Sequence, residues 1–251
     1  MPVRTIGIGA GSDAGKVFSS VAACDTTSRV VVYTVPGTDF SAEYPGIEVE
    51  EHPDPAGALV DDLISGSIGA AVRGTLPANT TLAALKRACG VDRLERAVLL
   101  ETASGDRFFL APVGIDEGWS VEGKVALATR AQGMAEKFGL PTRIGILSGG
   151  RIGDIGRHPR VDRSLAEGEL VARLTGGIHY EILIEDAASE CGVLIAPDGI
   201  SGNLIFRTLT FLGKGTSHGA PVLNIGTIFI DTSRATRRYT NAIRLADCLL
   251  K

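Results

Sequence analysis

Short apolar runs alternate with helical patterns along this chain, and glycines fall mostly where a run ends and a helical pattern begins. Residues 5–9, 29–35 and 69–72 are apolar runs of strand length, and the second is rich in β-branched side chains. Residues 79–89 and 121–138 carry apolar side chains three or four positions apart, which is the spacing of one helix face. Strands that alternate with helices predict an α/β fold with helices on both faces of the sheet.

Two further apolar runs, residues 96–102 and 107–113, are separated by Ser104, Gly105 and Asp106. A short polar turn of this kind predicts a hairpin, so the sheet should be mixed rather than purely parallel. The remaining predicted elements are strands at residues 143–147, 180–184 and 192–195, and helices at residues 204–212 and 235–250. Ligands of α/β sheets bind beyond the carboxyl ends of the strands, so polar residues that follow strands are the candidate site residues.

The composition excludes several classes of function. With 251 residues, 44% of them hydrophobic, the chain can form one large domain or two smaller ones around a substantial core. A formal net charge of −4 argues against a general nucleic-acid binder. The sequence has no apolar stretch of about 20 residues and no signal-peptide pattern at its start, so we expect a cytoplasmic protein without a membrane segment.

The four cysteines give no reason to expect a metal site. Cys24, Cys89, Cys191 and Cys248 lie far apart, with no C-x-x-C pair and no neighbouring histidine. We therefore predict reduced core thiols and no bound metal.

A glycine-rich turn follows the first predicted strand and contains Gly9, Gly11 and Ser12, with Lys16 shortly after. Such a turn can cradle a phosphate, although its spacing fits neither the Rossmann pattern nor the P-loop. It can equally serve only to pack the first strand against its helix. Both interpretations stay open at this point.

Two more loops follow strands in the second half of the chain. Residues 148–151 are small except for the last, so their backbone N–H groups could approach an anion; an ordinary flexible loop is the alternative. Residues 198–203 are predicted to open a helix at Gly202 and Asn203, where free N–H groups favour an anion. The alternative is a capping turn in which Ser201 or Asn203 caps the helix without any ligand. The candidate ligand residues in these loops are Ser148, Gly149, Gly150, Arg151, Asp198, Ser201, Gly202 and Asn203.

The last two candidate loops lie far apart in sequence. Arg73 and Gly74 follow the run at residues 69–72, and Asn79 and Thr80 stand at a predicted helix start. Ser233 and Arg234 follow Asp231 and are predicted to lie at the N-terminus of the last helix. Five polar loops in one α/β chain are better explained by one shared anion site than by five coincidences.

Several segments resemble the phosphate acetyl/butyryl transferases, in the same order along the chain. They are GAAVRGT, FGLPTRIGILSGG, VLIAPDGISGNLIFRTLTFLG and APVLNIGTIFIDTSR. The resemblance implies a two-domain isocitrate/isopropylmalate dehydrogenase-like (phosphotransacetylase-like) fold with mixed sheets and a ligand-binding cleft between the domains, usually in a homodimer. We expect one domain to comprise residues 1–117 and 224–251, and the other residues 118–223.

A closer resemblance is to the MtxX group of methanogens, also called methanogenesis marker protein 4, whose members are named methyltransferase-related. The segments GIGAGSDAGKV and DTSRATRRY carry this resemblance. It implies a role in methanogen one-carbon metabolism, with a methyltransferase or corrinoid protein as partner. The chain shows no corrinoid motif of the form D-x-H-x-x-G and no S-adenosylmethionine signature beyond the weak glycine turn.

The chain departs from the true acetyltransferases at two places. Ser233 and Arg234 match the family's catalytic Ser-Arg pair, but residues 239–241 read Tyr-Thr-Asn where that family has a carboxylate. The helix after Gly74 also lacks the family's arginine, and Lys86 is the nearest cation. Without a carboxylate in this position, the chain lacks the group that would remove the proton of a thiol in that family's reaction.

Three hypotheses therefore remain. The first is an MtxX-type methyltransferase-related protein that binds phosphate or a phosphorylated cofactor. The second is an active transferase that makes acyl phosphate from acyl-thioester and phosphate. The third is a non-catalytic, cofactor-binding accessory protein.

Overall fold

A computed structural model describes residues 4–251 and divides them into two compact units. The first unit consists of the chain up to Leu94 together with His218–Lys251, and the second is Glu95–Ser217. The chain passes from the first unit to the second after Leu94 and returns after Ser217, whereas the sequence predicted these two boundaries after residues 117 and 223. The hairpin predicted at residues 96–113 belongs to the second unit, because both of its strands pair in the sheet of that unit.

The strands and helices follow one another along the chain with few long connections. The strands are β1 (Thr5–Ala10), β2 (Arg29–Thr34), β3 (Glu48–Glu51), β4 (Ala70–Val72), β5 (Val98–Glu101), β6 (Arg107–Ala111), β7 (Ile144–Leu147), β8 (Ile178–Glu181), β9 (Val193–Ile195), β10 (Thr216–Ser217), β11 (Ala220–Pro221) and β12 (Ile228–Asp231). The helices are α1 (Ala14–Ala22), α2 (Pro55–Ser65), α3 (Ala78–Ala88), α4 (Val121–Lys137), α5 (Pro159–Thr175), α6 (Ile184–Glu190), α7 (Gly199–Arg207) and α8 (Thr240–Leu249).

The sheet of the first unit has the order β11-β12-β4-β1-β2-β3, and all its strands except β11 run parallel. Its central strand β1 is buried along its whole length, as parallel strands covered on both faces are. Helix α2 packs on β1 and contributes Leu59 and Leu63 to the core. Its ends are set by sequence: Asp54 accepts a hydrogen bond from the Gly57 N–H, Pro55 occupies the first turn, and Gly66 ends the helix in the left-handed conformation.

The sheet of the second unit has the order β10-β5-β6-β9-β7-β8. β5 and β6 form the predicted antiparallel hairpin, β10 pairs antiparallel with β5, and β6, β9, β7 and β8 are parallel. The prediction of mixed sheets is therefore confirmed. Helix α4 covers β6 and β9, and Ser120 caps it by accepting a hydrogen bond from the Gly123 N–H.

Three predicted elements differ from the structure. The strand predicted at residues 180–184 is Ile178–Glu181, and Ile184 already begins α6. The helix predicted at residues 204–212 begins at Gly199 and ends in a π-helical turn, Thr208–Leu212. The helix predicted at residues 235–250 begins only at Thr240. Both helix errors arose because apolar spacing marks the buried face of a helix, whereas the hydrogen bonds of its first turn fix its start.

The four cysteines differ in how deeply they are buried, and residues 4–251 contain no cluster of possible metal ligands. Cys191 is buried, Cys24 and Cys89 are partly buried, and Cys248 is exposed, so the prediction of core thiols is wrong for Cys248. Among residues 4–251, no three His, Cys, Asp or Glu side chains come together in a way that could hold a metal ion. Within the same residues, every helix is too short or too polar to cross a membrane.

Candidate functional site

Three loops of the first unit meet at one edge of its sheet. Strands β12, β4 and β1 are neighbours and parallel, so their carboxyl ends, Asp231, Val72 and Ala10, share that edge. The loop that follows each strand carries residues predicted from sequence as ligands. They are Gly11 and Ser12 after β1, Arg73 and Gly74 after β4, and Ser233 and Arg234 after β12. We call this the β1–β4–β12 edge.

Arg73 does not lie open to a ligand. Its side chain is 5% exposed, its Nε donates to Asp231 Oδ1 at 2.5 Å, and its Nη1 donates to the Leu76 carbonyl at 2.7 Å. The Arg73 backbone N–H also donates to the Ile230 carbonyl. A buried guanidinium paired in this way has its charge balanced, so Arg73 binds the loop after β4 to the end of β12.

Gly74 brings the same loop against β1. It has φ +60°, and a Cβ there would overlap the carbonyl oxygen of Gly9, so only glycine fits without displacement of the backbone. The Thr75 N–H donates to that Gly9 carbonyl at 3.0 Å, and the Gly11 N–H donates to Thr75 Oγ1 at 2.9 Å. Gly9 itself lies inside β1, where the absence of a side chain leaves room for Leu76. The structure thus gives Gly9 a packing role.

The turn after β1 is polar and exposed at its tip. Ser12 is exposed, and Asp13 adopts the left-handed conformation with φ 60° just before α1. Asp13 pairs with Lys16 at 3.0 Å, so the cation nearest to this turn in sequence already has a carboxylate partner. Asn79 and Thr80 lie in the first turn of α3, and the Thr80 hydroxyl donates to the Pro77 carbonyl.

The segment after β12 is a turn held in place by Tyr239. The Ala235 N–H donates to Ser233 Oγ at 3.2 Å, and the Tyr239 hydroxyl donates to the Ser233 carbonyl at 3.3 Å. The Tyr239 N–H donates to Ser20 Oγ rather than to the Ala235 carbonyl, as a helix that began at Ala235 would require, and the helix begins at Thr240. Ser233 and Arg234 therefore lie in a tethered turn, and the prediction that they stand at a helix N-terminus is wrong.

The charges of this edge surround the Tyr239 phenol. Burial raises the pKa of Tyr239 to about 12, while the positive charges of Arg73 and Arg234 oppose that rise and Asp13 adds to it. Side chains from all three loops are thus close enough to influence one phenol. Arg73 and Asp13 have partners of opposite charge, whereas the Arg234 side chain is exposed.

In the second unit, the loop after β9 leads directly into α7 and supplies the residue that caps this helix. Asp198 is the N-cap residue, and its Oδ1 accepts from the Ser201 N–H at 2.7 Å. The Gly202 N–H donates to the Asp198 carbonyl, and Asn203 Nδ2 donates to the Val113 carbonyl at 3.0 Å. Gly202 and Asn203 lie within the helix rather than at its start, so the prediction of free N–H groups at these two residues is wrong. The loop is a capping turn, but the side chain that caps the helix is Asp198 rather than Ser201 or Asn203.

Sequence reasoning missed a buried ion pair beside that helix. Glu117, whose side chain is 1% exposed, pairs with Arg96 through Oε1 and Nε at 2.6 Å. Its backbone carbonyl accepts from the Gly199 N–H at the start of α7. Burial raises the pKa of the Glu117 carboxyl, and the charge and hydrogen bonds of Arg96 oppose that rise. No local pattern marks the pair, because its members belong to separate loops.

The loop after β7 is held by α5 and β8. The Gly149 N–H donates to Ser164 Oγ at 2.8 Å, and Ser148 Oγ lies 2.8 Å from Nε2 of His179. Gly150 is buried, and exposed Arg151 anchors the loop through its backbone N–H, which donates to Asp154. The hydrogen bond from Arg151 and the ion pair with Arg157 lower the pKa of Asp154. The sequence identified Ser148 but gave no signal for His179.

Comparison with known proteins identifies relatives in methanogens. No family model matches the chain. A Methanosarcina mazei protein named "Putative methyltransferase mtx subunit X" is 51% identical over 209 residues, which cover 81% of this chain and 75% of that protein. The protein of the same name from Methanosarcina barkeri is 50% identical over 208 residues, which cover 81% and 77%.

Solved structures of low sequence identity share the fold. A branched-chain phosphotransacylase from Enterococcus faecalis matches with a TM-score of 0.75 at 16% identity, covering 98% of both chains. The EutD phosphotransacetylase from Staphylococcus aureus matches with a TM-score of 0.67 at 12% identity, covering 98% of this chain and 94% of the other. The predicted phosphotransacetylase-like fold is confirmed.

Replacement of Gly74 tests the packing of the β1–β4–β12 edge. Gly90 has a similar φ of +65°, but a Cβ there would meet open space, so Gly90→Ala should cost about 1–2 kcal/mol, the strain of the left-handed conformation. Gly74→Ala adds a collision with the Gly9 carbonyl, so we expect a further loss of ~1–3 kcal/mol. Urea unfolding of both variants measures the difference, and equal losses would contradict the close approach.

Removal of Arg73 tests whether its role is structural. Arg73→Ala leaves the Asp231 carboxylate buried without its guanidinium partner, which typically lowers the free energy of unfolding by about 3–5 kcal/mol. Arg29→Ala, which breaks the exposed pair with Glu48 in the same unit, should change it far less. Urea unfolding followed by circular dichroism compares the two variants, and a small loss for Arg73→Ala would contradict the buried clamp.

Proposed function

This chain belongs to the family of the putative methyltransferase mtx subunit X, and we propose that it binds a phosphate-bearing ligand at the β1–β4–β12 edge. The ligand would be phosphate itself or a phosphorylated cofactor of methanogen metabolism. The observation that carries the proposal is the position of Arg234: an exposed cation directly after Ser233 in a tethered turn, beside loops in which Arg73 and Lys16 already pair with carboxylates. A guanidinium so placed can bind a phosphate through two parallel hydrogen bonds.

Ser233 supports the same assignment. Its hydroxyl oxygen accepts a hydrogen bond from the Ala235 N–H. Because the hydroxyl hydrogen is not used in that bond, it can donate to a phosphate oxygen. Ser12 is exposed on the loop after β1, the strand that lies two positions from β12 in the sheet. We infer that these hydroxyls and Arg234 bind the anion by hydrogen bonds and charge.

The proposed role in methyl transfer rests on the name of the family and on the kinds of side chain at the edge. The side chains of the edge offer a cation and hydroxyl donors, which position and stabilise an anion rather than carry a methyl group. We propose that a methyltransferase or a corrinoid protein brings the methyl carrier, and that the chain acts as a homodimer.

Calorimetry with inorganic phosphate tests the site. Arg234→Ala removes a charged hydrogen-bond donor, so the dissociation constant should rise by about tenfold to a hundredfold. Arg237→Ala removes an exposed arginine from the same segment and should leave the constant nearly unchanged. Equal affinities in Arg234→Ala and the original chain would place the ligand elsewhere or show that none binds.

A second candidate function is acyl transfer to phosphate, and the presence of Ser233 and Arg234 together at the edge favours it. Against it stands the absence of a carboxylate at residues 239–241, where the family has one: the Tyr239 phenol in this stretch is buried, donates to the Ser233 carbonyl and has a pKa of about 12. A phenol with that pKa stays protonated near neutral pH and cannot accept the proton of a thiol.

An assay of acyl-phosphate formation from acyl-thioesters and phosphate separates the candidates. Because residues 239–241 offer no carboxylate in the position of the family's base, we expect no acyl phosphate with donors of any chain length. Formation of acyl phosphate that disappears in Arg234→Ala would favour the second candidate instead. Phosphate binding without any turnover, alone or with a methyl-carrier protein, would favour an accessory role.

A further inference from the structure

Three side chains of the second unit form a hydrogen-bonded chain of serine, histidine and glutamate. Ser148 Oγ lies 2.8 Å from Nε2 of His179, and Nδ1 of the same ring lies 2.8 Å from Oε1 of Glu169. The two contacts use opposite nitrogens of one imidazole. This is the arrangement in which a carboxylate orients a histidine and the histidine activates a serine.

The glutamate contact selects the tautomer that such chemistry needs. A carboxylate accepts hydrogen bonds, so Glu169 favours the proton on Nδ1 of His179. The lone pair of Nε2 then points at Ser148 and can accept the serine proton. The Ser148 hydroxyl has a second acceptor in the Gly150 carbonyl, but that contact is longer, at 3.2 Å.

The fold builds this cluster from neighbouring elements. Ser148 directly follows β7, and His179 lies on the adjacent parallel strand β8. Helix α5 provides Glu169 and, beside it, Gly168, where a Cβ would lie 2.7 Å from Nε2 of His179. The imidazole therefore occupies space that exists only because residue 168 has no side chain. The His179 side chain is 5% exposed, whereas that of Glu169 is 61% exposed.

We propose that Ser148 is a nucleophile that accepts an acyl group from a small activated ester or thioester. In the first step, Ser148 Oγ bonds to the acyl carbon, the bond from that carbon to the leaving group breaks, and the serine proton passes through Nε2 of His179 to the leaving group. In the second step, water attacks the acyl-serine, gives its proton to His179, and the ester bond to Oγ breaks as that proton returns to Ser148. The products are a carboxylic acid and an alcohol or thiol.

A small acyl donor fits the surroundings. Ser148 is 3% exposed, which leaves little room for a bulky group, while Gly149 beside it is exposed and brings the loop to the surface of the unit. Both activating contacts lie within the second unit. The proposal is therefore independent of the phosphate site at the β1–β4–β12 edge, which belongs to the first unit.

Acetylation by p-nitrophenyl acetate tests the proposal. The intact chain should release about one equivalent of p-nitrophenolate in a burst, and peptide mass spectrometry should find the acetyl group on Ser148. Ser148→Ala should abolish both signals. His179→Gln keeps a polar side chain but lacks a basic nitrogen, so the burst rate should fall by about 10²–10⁴-fold.

Two matched pairs of variants distinguish activation from a structural role. Gly168→Ala displaces the imidazole and should slow the burst, whereas Gly133→Ala, in open space on α4, should not. Ser189→Ala removes an exposed hydroxyl of α6 and should also leave the burst unchanged. No acetyl-serine in the folded chain, or equal acetylation of Ser148 in His179→Gln, would overturn the proposal. The phosphate site is measured by calorimetry, so either proposal can fail alone.

Discussion

The buried pair of Arg73 and Asp231 is the contact on which the first unit's candidate site depends. It joins the ends of β4 and β12, two neighbouring strands whose following loops carry the polar residues. Two ionised groups out of water are stable only when each is paired and hydrogen-bonded. Here the Leu76 carbonyl accepts from Arg73, and the Thr232 N–H donates to Asp231. Because this pair balances its own charge, Arg73 adds little attraction for an anion, and the proposed phosphate contact rests on the exposed Arg234.

A second constraint keeps the loops close enough for this arrangement. The approach of Gly74 to Gly9 brings the loop after β4 onto β1, and Thr232 Oγ1 donates to the Gly74 carbonyl from the other side. Tyr239 then anchors the turn that carries Ser233 and Arg234. The turn that carries Ser233 and Arg234 is thus held by Thr232 against the loop after β4 and by the Tyr239 hydroxyl at the Ser233 carbonyl. A fixed backbone lowers the entropic cost of binding an anion there.

The sequence predicted the elements whose pattern is local. The β-branched run at residues 29–35 and the helix at residues 121–138 appear within a residue of their predicted ends, since apolar spacing reports which face is buried. Helix starts were predicted less well because one side chain decides them: Asp198 begins α7 early, and the fixed turn before Thr240 delays α8. The Arg73–Asp231 contact spans 158 positions, and no local pattern can reveal it.

The loop after β7 shows the same limit in chemical terms. Its small residues suggested a loop whose backbone N–H groups approach an anion. In that interpretation Ser148 is only one of several hydrogen-bond donors. In the folded chain, His179 from the neighbouring strand instead contacts the Ser148 hydroxyl, and a residue from α5 orients the histidine. A phosphate ligand needs only a donor, whereas an acyl acceptor needs a group that removes its proton. The contacts of the folded chain, rather than the identity of the serine, therefore determine which chemistry this loop can support.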